Sequence, residues 1–132
     1  MSTATASVLL SLEADLRRAL SGEVRFDAYS RALYSTDASL YRIPPVGVVL
    51  PRSAEDVIAV VTLCAGAGVA VLPRGGGTSL AGQTVNRAVV MDFTKHMRGV
   101  LEVNAEQRWA RVQPGIPLDE LNNHLRASGL HY

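Results

Sequence analysis

Two short apolar runs separated by one helix-like segment constrain the fold of this 132-residue chain more than any other feature. The first run, VGVVLP at residues 46–51, and the second, VAVLP at residues 69–73, have the length and β-branched content of buried strands. Between them, Ser53 followed by Asp56 has the spacing of a helix N-terminal capping box. A strand, a helix and a second strand so close together form a βαβ unit, so we expect the two strands to be parallel.

The segment between these strands has the periodicity of an amphipathic helix that ends at the glycines 66 and 68. Its predicted apolar face consists of Val57, Val60, Val61 and Cys64. Cys64 is the only cysteine, which excludes an intramolecular disulfide and a multi-cysteine metal site in this chain. We therefore expect Cys64 to be a small core residue, and we expect no metal site.

Further elements are predicted on both sides of the βαβ unit. We divide the chain into two parts: residues 1–45 form an N-terminal helix and connector, and residues 46–132 form the part that begins with the βαβ unit. The connector carries Tyr29, Tyr34 and Tyr41, whose rings we expect to be partly buried with their hydroxyls in solvent. The predicted elements are an amphipathic helix with Leu9, Leu12, Leu16 and Leu20, a third strand at residues 88–93, a hairpin of residues 99–104 and 108–115, and a helix from Pro117 to Gly129.

Composition excludes several classes of function. The formal net charge is only +1 and the charges are scattered, which differs from the basic stripe of a nucleic-acid-binding protein. The apolar runs are too short or too interrupted to span a bilayer, and the first 18 residues carry their charges after the apolar segment, the reverse of a secretory signal. We therefore expect a cytoplasmic protein. The three histidines are expected at the surface or at helix ends rather than as ligands: His96, His124 and His131.

A glycine-rich loop, VLPRGGGTSLAGQT at residues 71–84, directly follows the second predicted strand. Glycine loses more conformational freedom on folding than any other residue, and a simple turn needs one or two glycines rather than four. The loop leaves the carboxyl edge of the predicted sheet, where ligands of such sheets usually bind. Successive backbone N–H groups can converge there on phosphate oxygens, each contributing about 1.5–3 kcal/mol when the acceptor is charged. The loop therefore predicts a pyrophosphate site that needs no lysine.

Two familiar phosphate-binding motifs come close and fail. The stretch from Gly77 to Thr84 has the Walker A spacing, but Gln83 stands where that motif requires lysine. Gly75 and Gly77 are followed by Leu80 where the dinucleotide fingerprint requires a third glycine. That fingerprint must also open a long helix, whereas residues 78–87 have no helical apolar stripe and pass into the next predicted strand.

The loop resembles the pyrophosphate-binding loop of FAD-linked oxidases of the vanillyl-alcohol oxidase/p-cresol methylhydroxylase type. It differs from the family's loop only in the residue order at Leu72-Pro73-Arg74. The stretches YSTDASLYRIPPVGVVLPRSAEDV upstream and VVMDF, ARVQPG and LDELN downstream resemble the same family in the same order, over roughly residues 27 to 132. YSTDASLYR and GGGTSLAGQTVN are most similar to the D-2-hydroxy-acid dehydrogenase branch, which includes D-lactate, glycolate and D-2-hydroxyglutarate dehydrogenases.

The resemblance implies a set of cofactor-binding residues: Pro73, Arg74, Gly75, Gly76, Gly77, Thr78, Ser79, Gly82, Gln83, Pro114 and Gly115. Residues 74–79 would wrap the FAD pyrophosphate mainly through backbone amides, and Gly82 and Gln83 would continue toward the flavin. Thr78 lies in the region where covalently flavinylated relatives often carry histidine, which favours non-covalent FAD. Some relatives are fused to iron–sulfur modules, and such a module would lie outside this chain.

The resemblance also implies an α+β fold: the first βαβ-type lobe of a two-lobed FAD-binding domain plus the start of its second lobe. The family's domain continues past GLHY with another cofactor segment and a substrate domain, so we expect an N-terminal fragment that is inactive alone and binds FAD weakly or not at all. The catalytic residues are unknown. The full-length protein would oxidise a small D-2-hydroxy acid to a 2-keto acid, as a homo-oligomer or with the missing downstream domain, and could associate peripherally with a membrane.

Two alternatives stay open at this point. One is a non-catalytic FAD- or nucleotide-binding module that needs a partner chain. The other is an unrelated phosphate-binding βαβ protein, since the glycine loop by itself identifies a phosphate better than it identifies a reaction.

Overall fold

A computed structural model describes residues 3–132, with side chains from residue 6 onward, and it has the predicted α+β class. The helices and strands alternate irregularly along the chain. The described strands form two separate sheets, one of four strands and one of two. Its elements are α1 (Thr3–Ala19), β1 (Glu23–Arg25), α2 (Ala28–Leu33), β2 (Gly47–Leu50), α3 (Ala54–Gly66), β3 (Val71–Arg74), β4 (Val89–Asp92), β5 (Val100–Asn104), β6 (Trp109–Val112) and α4 (Leu118–Leu125), the last extended by a 3-10 turn at Arg126–Ser128.

The larger sheet has the strand order β1-β2-β4-β3. Strands β2 and β3 both run parallel to β4, which confirms the predicted parallel βαβ unit, but β4 is inserted between them. Val90 of β4 is opposite Val48 on one side and Leu72 on the other. All residues of β2 and β4 are buried, as expected for central strands that are covered on both faces.

Helices α1 and α3 pack together over one face of this sheet. Leu12 and Leu16 of α1 lie in the same buried cluster as Val60 and Cys64 of α3. Cys64 is fully buried, which confirms its predicted core position, and burial raises the pKa of its thiol to about 11. The prediction was wrong for Val61, which is 48% exposed because it lies at the edge of the helix face that contacts the sheet.

Strand β1 and helix α2 were not predicted, because both are too short to give a periodic pattern. Strand β1 has three residues and pairs antiparallel with β2, where Val24 lies opposite Val49. Helix α2 has six residues, and Asp27 caps it by accepting a hydrogen bond from the Ser30 backbone N–H at 2.8 Å. Residues before 46 thus add a strand to the larger sheet, while the domain division at residue 45 stays a prediction.

The smaller sheet is the predicted β5–β6 hairpin, with Val103 opposite Ala110. Helix α4 follows it and ends where Gly129 adopts a left-handed conformation with φ of 66°. Its buried face contains Leu121 and Leu125, whereas Leu118, predicted on the same face, is 53% exposed in the first turn. Among the helices described, none is both long enough and apolar enough to cross a membrane.

Asp56, at the start of α3, connects its own helix to the turn between α1 and β1 and to the turn between β2 and α3. Its carboxylate accepts hydrogen bonds from the backbone N–H groups of Ser21, Gly22 and Arg52 at 2.9–3.0 Å. Its own N–H donates to the Ser53 side chain, which confirms the first half of the predicted capping box. Burial alone would raise the pKa of Asp56, but the hydrogen bonds from Arg52 and Ser21 outweigh burial and lower it.

Replacing Asp56 by alanine is expected to lower the free energy of unfolding by about 3 kcal/mol, because three backbone N–H groups lose their acceptor. The stabilisation is fully present above the ordinary pKa of 3.8 and is lost as pH falls through the lowered pKa, so wild type and variant should converge in acid. Urea denaturation followed by circular dichroism measures both effects. Glu55→Ala changes an exposed carboxylate in the same turn and should cost much less; equal losses at neutral pH would contradict this role.

Candidate functional site: the glycine-rich loop

In the structure, the first four residues of the glycine-rich stretch 71–84 form β3. We therefore call residues 75–88, which connect the carboxyl end of β3 to the amino end of β4, the glycine-rich loop. It consists of bends and turns without a helical residue, as predicted from its lack of an apolar stripe. Its first residues therefore lie at the carboxyl edge of the parallel strands, which is the ligand side of such sheets. This geometry excludes the helix-opening dinucleotide fingerprint for this loop.

The chain itself requires two of the four glycines. Gly77 and Gly82 have φ angles of 68° and 77°, in the left-handed region that favours glycine. A Cβ atom on Gly77 would lie 2.4 Å from Nη2 of Arg74, and one on Gly82 would lie 2.6 Å from the Tyr41 ring. These two glycines are therefore explained by the conformation of the loop and its close contacts.

Gly75 and Gly76 have no such explanation within the part of the chain that the structure describes. Neither has a positive φ, and a Cβ atom on Gly75 would meet no atom of the described residues within 4 Å. A Cβ atom on Gly76 would meet only the Thr78 methyl group, at an ordinary 3.7 Å. The absence of a side chain leaves accessible backbone at both positions, a surface that a phosphate group can approach closely.

The backbone N–H groups of residues 75–80 follow directly after β3, and the first two belong to glycines that line a cleft. None of the six donates a hydrogen bond to another group within residues 3–132. By contrast, the N–H groups of Ala81, Gln83 and Thr84 all have acceptors in the loop or in Asp37. A run of unpaired N–H donors beside two unshielded glycines has the chemistry of an anion site.

Gln83 forms hydrogen bonds with other residues of the loop. Its side-chain oxygen accepts hydrogen bonds from the Ser79 hydroxyl and from the Ala81 N–H, and its own N–H donates to the Ser79 oxygen at 3.1 Å. The residue at the Walker lysine position thus binds within the loop. This contact supports the exclusion of a Walker A site, because the side chain supplies no cation to a nucleotide.

Arg74, the last residue of β3, supplies the positive charge at the loop entrance. Its Nη1 donates to the Thr84 carbonyl at 3.1 Å and its Nη2 donates to the Thr36 carbonyl at 2.9 Å. Its guanidinium lies over the Tyr34 ring, 5.2 Å from the ring centroid. Two of its five N–H groups are therefore used to hold the loop, and the charge is fixed next to Gly77.

A cleft of about 220 Å³ opens beside these residues, lined by Leu33, Tyr34, Arg74, Gly75, Gly76, Asp92 and Thr94. Asp92 is only 6% exposed, and its carboxylate accepts hydrogen bonds from the Tyr34 hydroxyl at 2.5 Å and from the Thr94 N–H at 2.8 Å. Burial and this hydrogen bond raise the pKa of Tyr34, so its hydroxyl stays a donor. The prediction that the hydroxyl faces solvent was therefore wrong for Tyr34. Tyr29 and Tyr41 are exposed.

Pro114 and Gly115 lie elsewhere. Pro114 lines a larger apolar groove of about 800 Å³ between the hairpin and α4, not the cleft at Gly75 and Gly76. Gly115 packs so tightly on the turn after β4 that a Cβ atom would lie 2.1 Å from the Phe93 carbonyl oxygen. The structure thus gives Gly115 a packing role, and cofactor contact by these two residues stays a prediction.

Most of the residues that sequence reasoning missed around the loop come from the predicted connector: Tyr34, Thr36, Asp37 and Ala38. They have no periodicity, and the family resemblance of YSTDASLYR did not assign them a contact with the loop. His96, expected at the surface, lies with Nε2 3.0 Å from a Glu23 carboxylate oxygen. Hydrogen bonds from Lys95, Arg25 and His96 lower the pKa of that carboxyl to about 2.

Comparison with known proteins finds relatives of most of this chain. The chain is 38% identical over 128 residues to a D-2-hydroxyglutarate dehydrogenase of Pantoea ananatis, covering 95% of this chain and 12% of that protein. It is 39% identical over 124 residues to a D-2-hydroxyglutarate dehydrogenase of Pseudomonas putida, covering 92% of this chain and 12% of that protein. The chain therefore spans about an eighth of the length of these curated relatives.

Among solved structures, the 4-ethylphenol oxidase from Gulosibacter chungangensis superposes with a TM-score of 0.80 at 24% identity, covering 94% of this chain and 25% of that one. This likeness concerns the fold. The sequence profile described as an FAD binding domain matches residues 45–132, which is more than half of the chain. The chain therefore belongs to the FAD binding domain family.

Proposed function

We propose that the glycine-rich loop binds the pyrophosphate of non-covalent FAD. The observation that carries this proposal is the run of unpaired N–H donors at residues 75–80 beside the open backbone of Gly75 and Gly76. Arg74 adds a fixed positive charge at the loop entrance. Thr78 and Ser79 would contribute backbone N–H groups, and Pro73 would set the approach to the loop at the end of β3.

We further propose that the protein that carries this segment is an FAD-dependent oxidoreductase that oxidises a D-2-hydroxy acid to a 2-keto acid. The support is the identity of 38–39% to two D-2-hydroxyglutarate dehydrogenases over nearly the whole of this chain. FAD, when bound, would accept a hydride from the α-carbon of the substrate. The part of this chain in that reaction is to bind and orient the cofactor. A cytoplasmic location and a homo-oligomeric state belong to the same proposal.

Binding of inorganic pyrophosphate and of FAD to the chain should shift the amide resonances of residues 75–80 in ¹⁵N-labelled protein, with weak affinity and fast exchange. Gly76→Val is expected to abolish these shifts while leaving the remaining spectrum unchanged, because the added side chain covers open backbone. Gly66→Val is the matched control, since Gly66 also has open space around it and lies at the exposed end of α3. Unchanged binding by Gly76→Val would contradict the loop assignment.

Gly77→Val should also abolish binding, but by a different route. A side chain there must displace the Arg74 guanidinium and adopt a left-handed conformation. We therefore expect ligand-free spectra of this variant to show shifted resonances for Arg74, Ala38 and Thr84, which contact the same part of the loop. Ligand-free spectra that match those of Gly76→Val would be inconsistent with the two separate roles.

The substrate proposal is tested in the purified gene product that carries this segment, with its flavin bound. At least one D-2-hydroxy acid, such as D-2-hydroxyglutarate or D-lactate, should bleach the flavin absorbance without oxygen, whereas its L enantiomer should not. Acid precipitation should leave the flavin in the supernatant, as expected for a non-covalent cofactor. Bound FAD that no D-2-hydroxy acid reduces would favour the alternative, a non-catalytic module that acts with a partner chain.

A further inference from the structure

A segment outside the matched family domain contacts the glycine-rich loop at its start, middle and end. We call residues 34–41 the clasp segment. The profile match begins at residue 45, so the clasp segment lies before the region that the comparison assigns to FAD binding. It contains one turn and a single isolated bridge but no strand or helix after residue 34.

The start of the loop is held through Arg74. The Thr36 carbonyl accepts a hydrogen bond from Nη2 of Arg74 at 2.9 Å, and the Tyr34 ring lies below the same guanidinium. Tyr34 is fixed in turn by its hydrogen bond to the buried carboxylate of Asp92. The cation at the loop entrance is therefore positioned by the clasp segment rather than by the loop alone.

The middle of the loop is held through the backbone and one ring. The Ala38 N–H donates to the Gly77 carbonyl oxygen at 3.1 Å. The Tyr41 ring packs directly on Gly82, where a Cβ atom would lie 2.6 Å from Cδ2. Both loop glycines with positive φ are thus in contact with the clasp segment.

The end of the loop is held by Asp37. Its Oδ2 accepts hydrogen bonds from the Thr84 hydroxyl at 2.9 Å and from the Thr84 N–H at 3.4 Å. Its Oδ1 accepts from the N–H of Ser39 at 2.9 Å, within the clasp segment. Because the Thr84 carbonyl also accepts from Arg74, Thr84 is the point where the clasp and the loop entrance meet.

We propose that the clasp segment orders the glycine-rich loop before a pyrophosphate binds, and that Asp37 is a positioning residue for cofactor binding. This inference rests on the proposed function of the loop. Fixing the backbone of a residue costs about 1–2 kcal/mol, so a ligand that had to order a free loop would bind far more weakly. If the loop is ordered in advance, nearly all molecules can bind the ligand. The apparent dissociation constant then stays close to the intrinsic one.

A carboxylate so close to a pyrophosphate site would repel the ligand if it faced the site. Both oxygens of Asp37 instead accept hydrogen bonds from the chain, and the bonds from Ser39 and Thr84 lower its pKa to about 2. The two roles predict opposite effects of Asp37→Asn. Removing a repulsive charge would strengthen pyrophosphate binding, whereas weakening a positioning contact would weaken it.

The test measures two properties of the ¹⁵N-labelled chain: order parameters of residues 75–84 without ligand, and the dissociation constant for inorganic pyrophosphate. Asp37→Ala and Thr84→Val should each lower the loop order parameters from about 0.85 to below about 0.6 and weaken binding about tenfold. The double variant should lose little more than Asp37→Ala alone, because Thr84→Val removes a contact that Asp37→Ala already removes. Asp37→Asn should show a smaller loss, and Thr84→Ser, which keeps the hydroxyl, should bind like wild type.

Asp27→Ala is the matched control, because Asp27 also accepts a backbone hydrogen bond in the same region but does not touch the loop. It should change thermal stability without changing loop order or affinity. Unchanged loop order parameters in both Asp37→Ala and Thr84→Val, tighter binding by Asp37→Asn, or equal effects of Asp27→Ala would each overturn the proposal. If the wild-type chain bound no inorganic pyrophosphate, the assignment of the loop as a pyrophosphate site would fail, while the order parameters would still decide whether Asp37 orders the loop.

Discussion

The connection from β3 to β4 is the constraint on which the rest of this structure depends. The two strands are parallel neighbours, so the chain must return from the carboxyl end of one to the amino end of the other. Such a crossover usually contains a helix that buries an apolar face on the sheet. Here residues 75–88 make the return without a helix, so the loop must be stabilised by turns, by Arg74 and by contacts from another part of the chain.

This constraint explains why the two faces of the larger sheet differ. One face is covered by the helices α1 and α3, which bury a continuous apolar cluster. The other has a small cluster of Val48, Leu50 and Val90, against which Tyr34 and Leu72 pack. Tyr34, which packs on this smaller cluster, also lines the cleft beside Gly75 and Gly76.

The parallel strands, the cap of α3 and the helix-free loop were predictable because each depends on residues close in sequence. Ser53 and Asp56 are three residues apart, and the strands β2 and β3 coincide largely with short apolar runs. The contacts that hold the loop were not predictable from such patterns, since Thr36 and Arg74 are 38 residues apart and Asp37 and Thr84 are 47 apart. Periodicity also gave no warning that Val61 would lie at the edge of its helix face, or that Asp92 would be buried beside Tyr34.

The glycine content of the loop has two separate physical causes, which the sequence alone could not distinguish. Gly77 and Gly82 are required by backbone conformation and by contact with Arg74 and Tyr41, so they stabilise the loop whether or not a ligand binds. Gly75 and Gly76 are required by nothing within the described chain, so their absent side chains matter only to a group that approaches from outside. A loop that only connected two strands would need the first pair and not the second. The second pair is therefore the stronger argument that this loop binds a ligand.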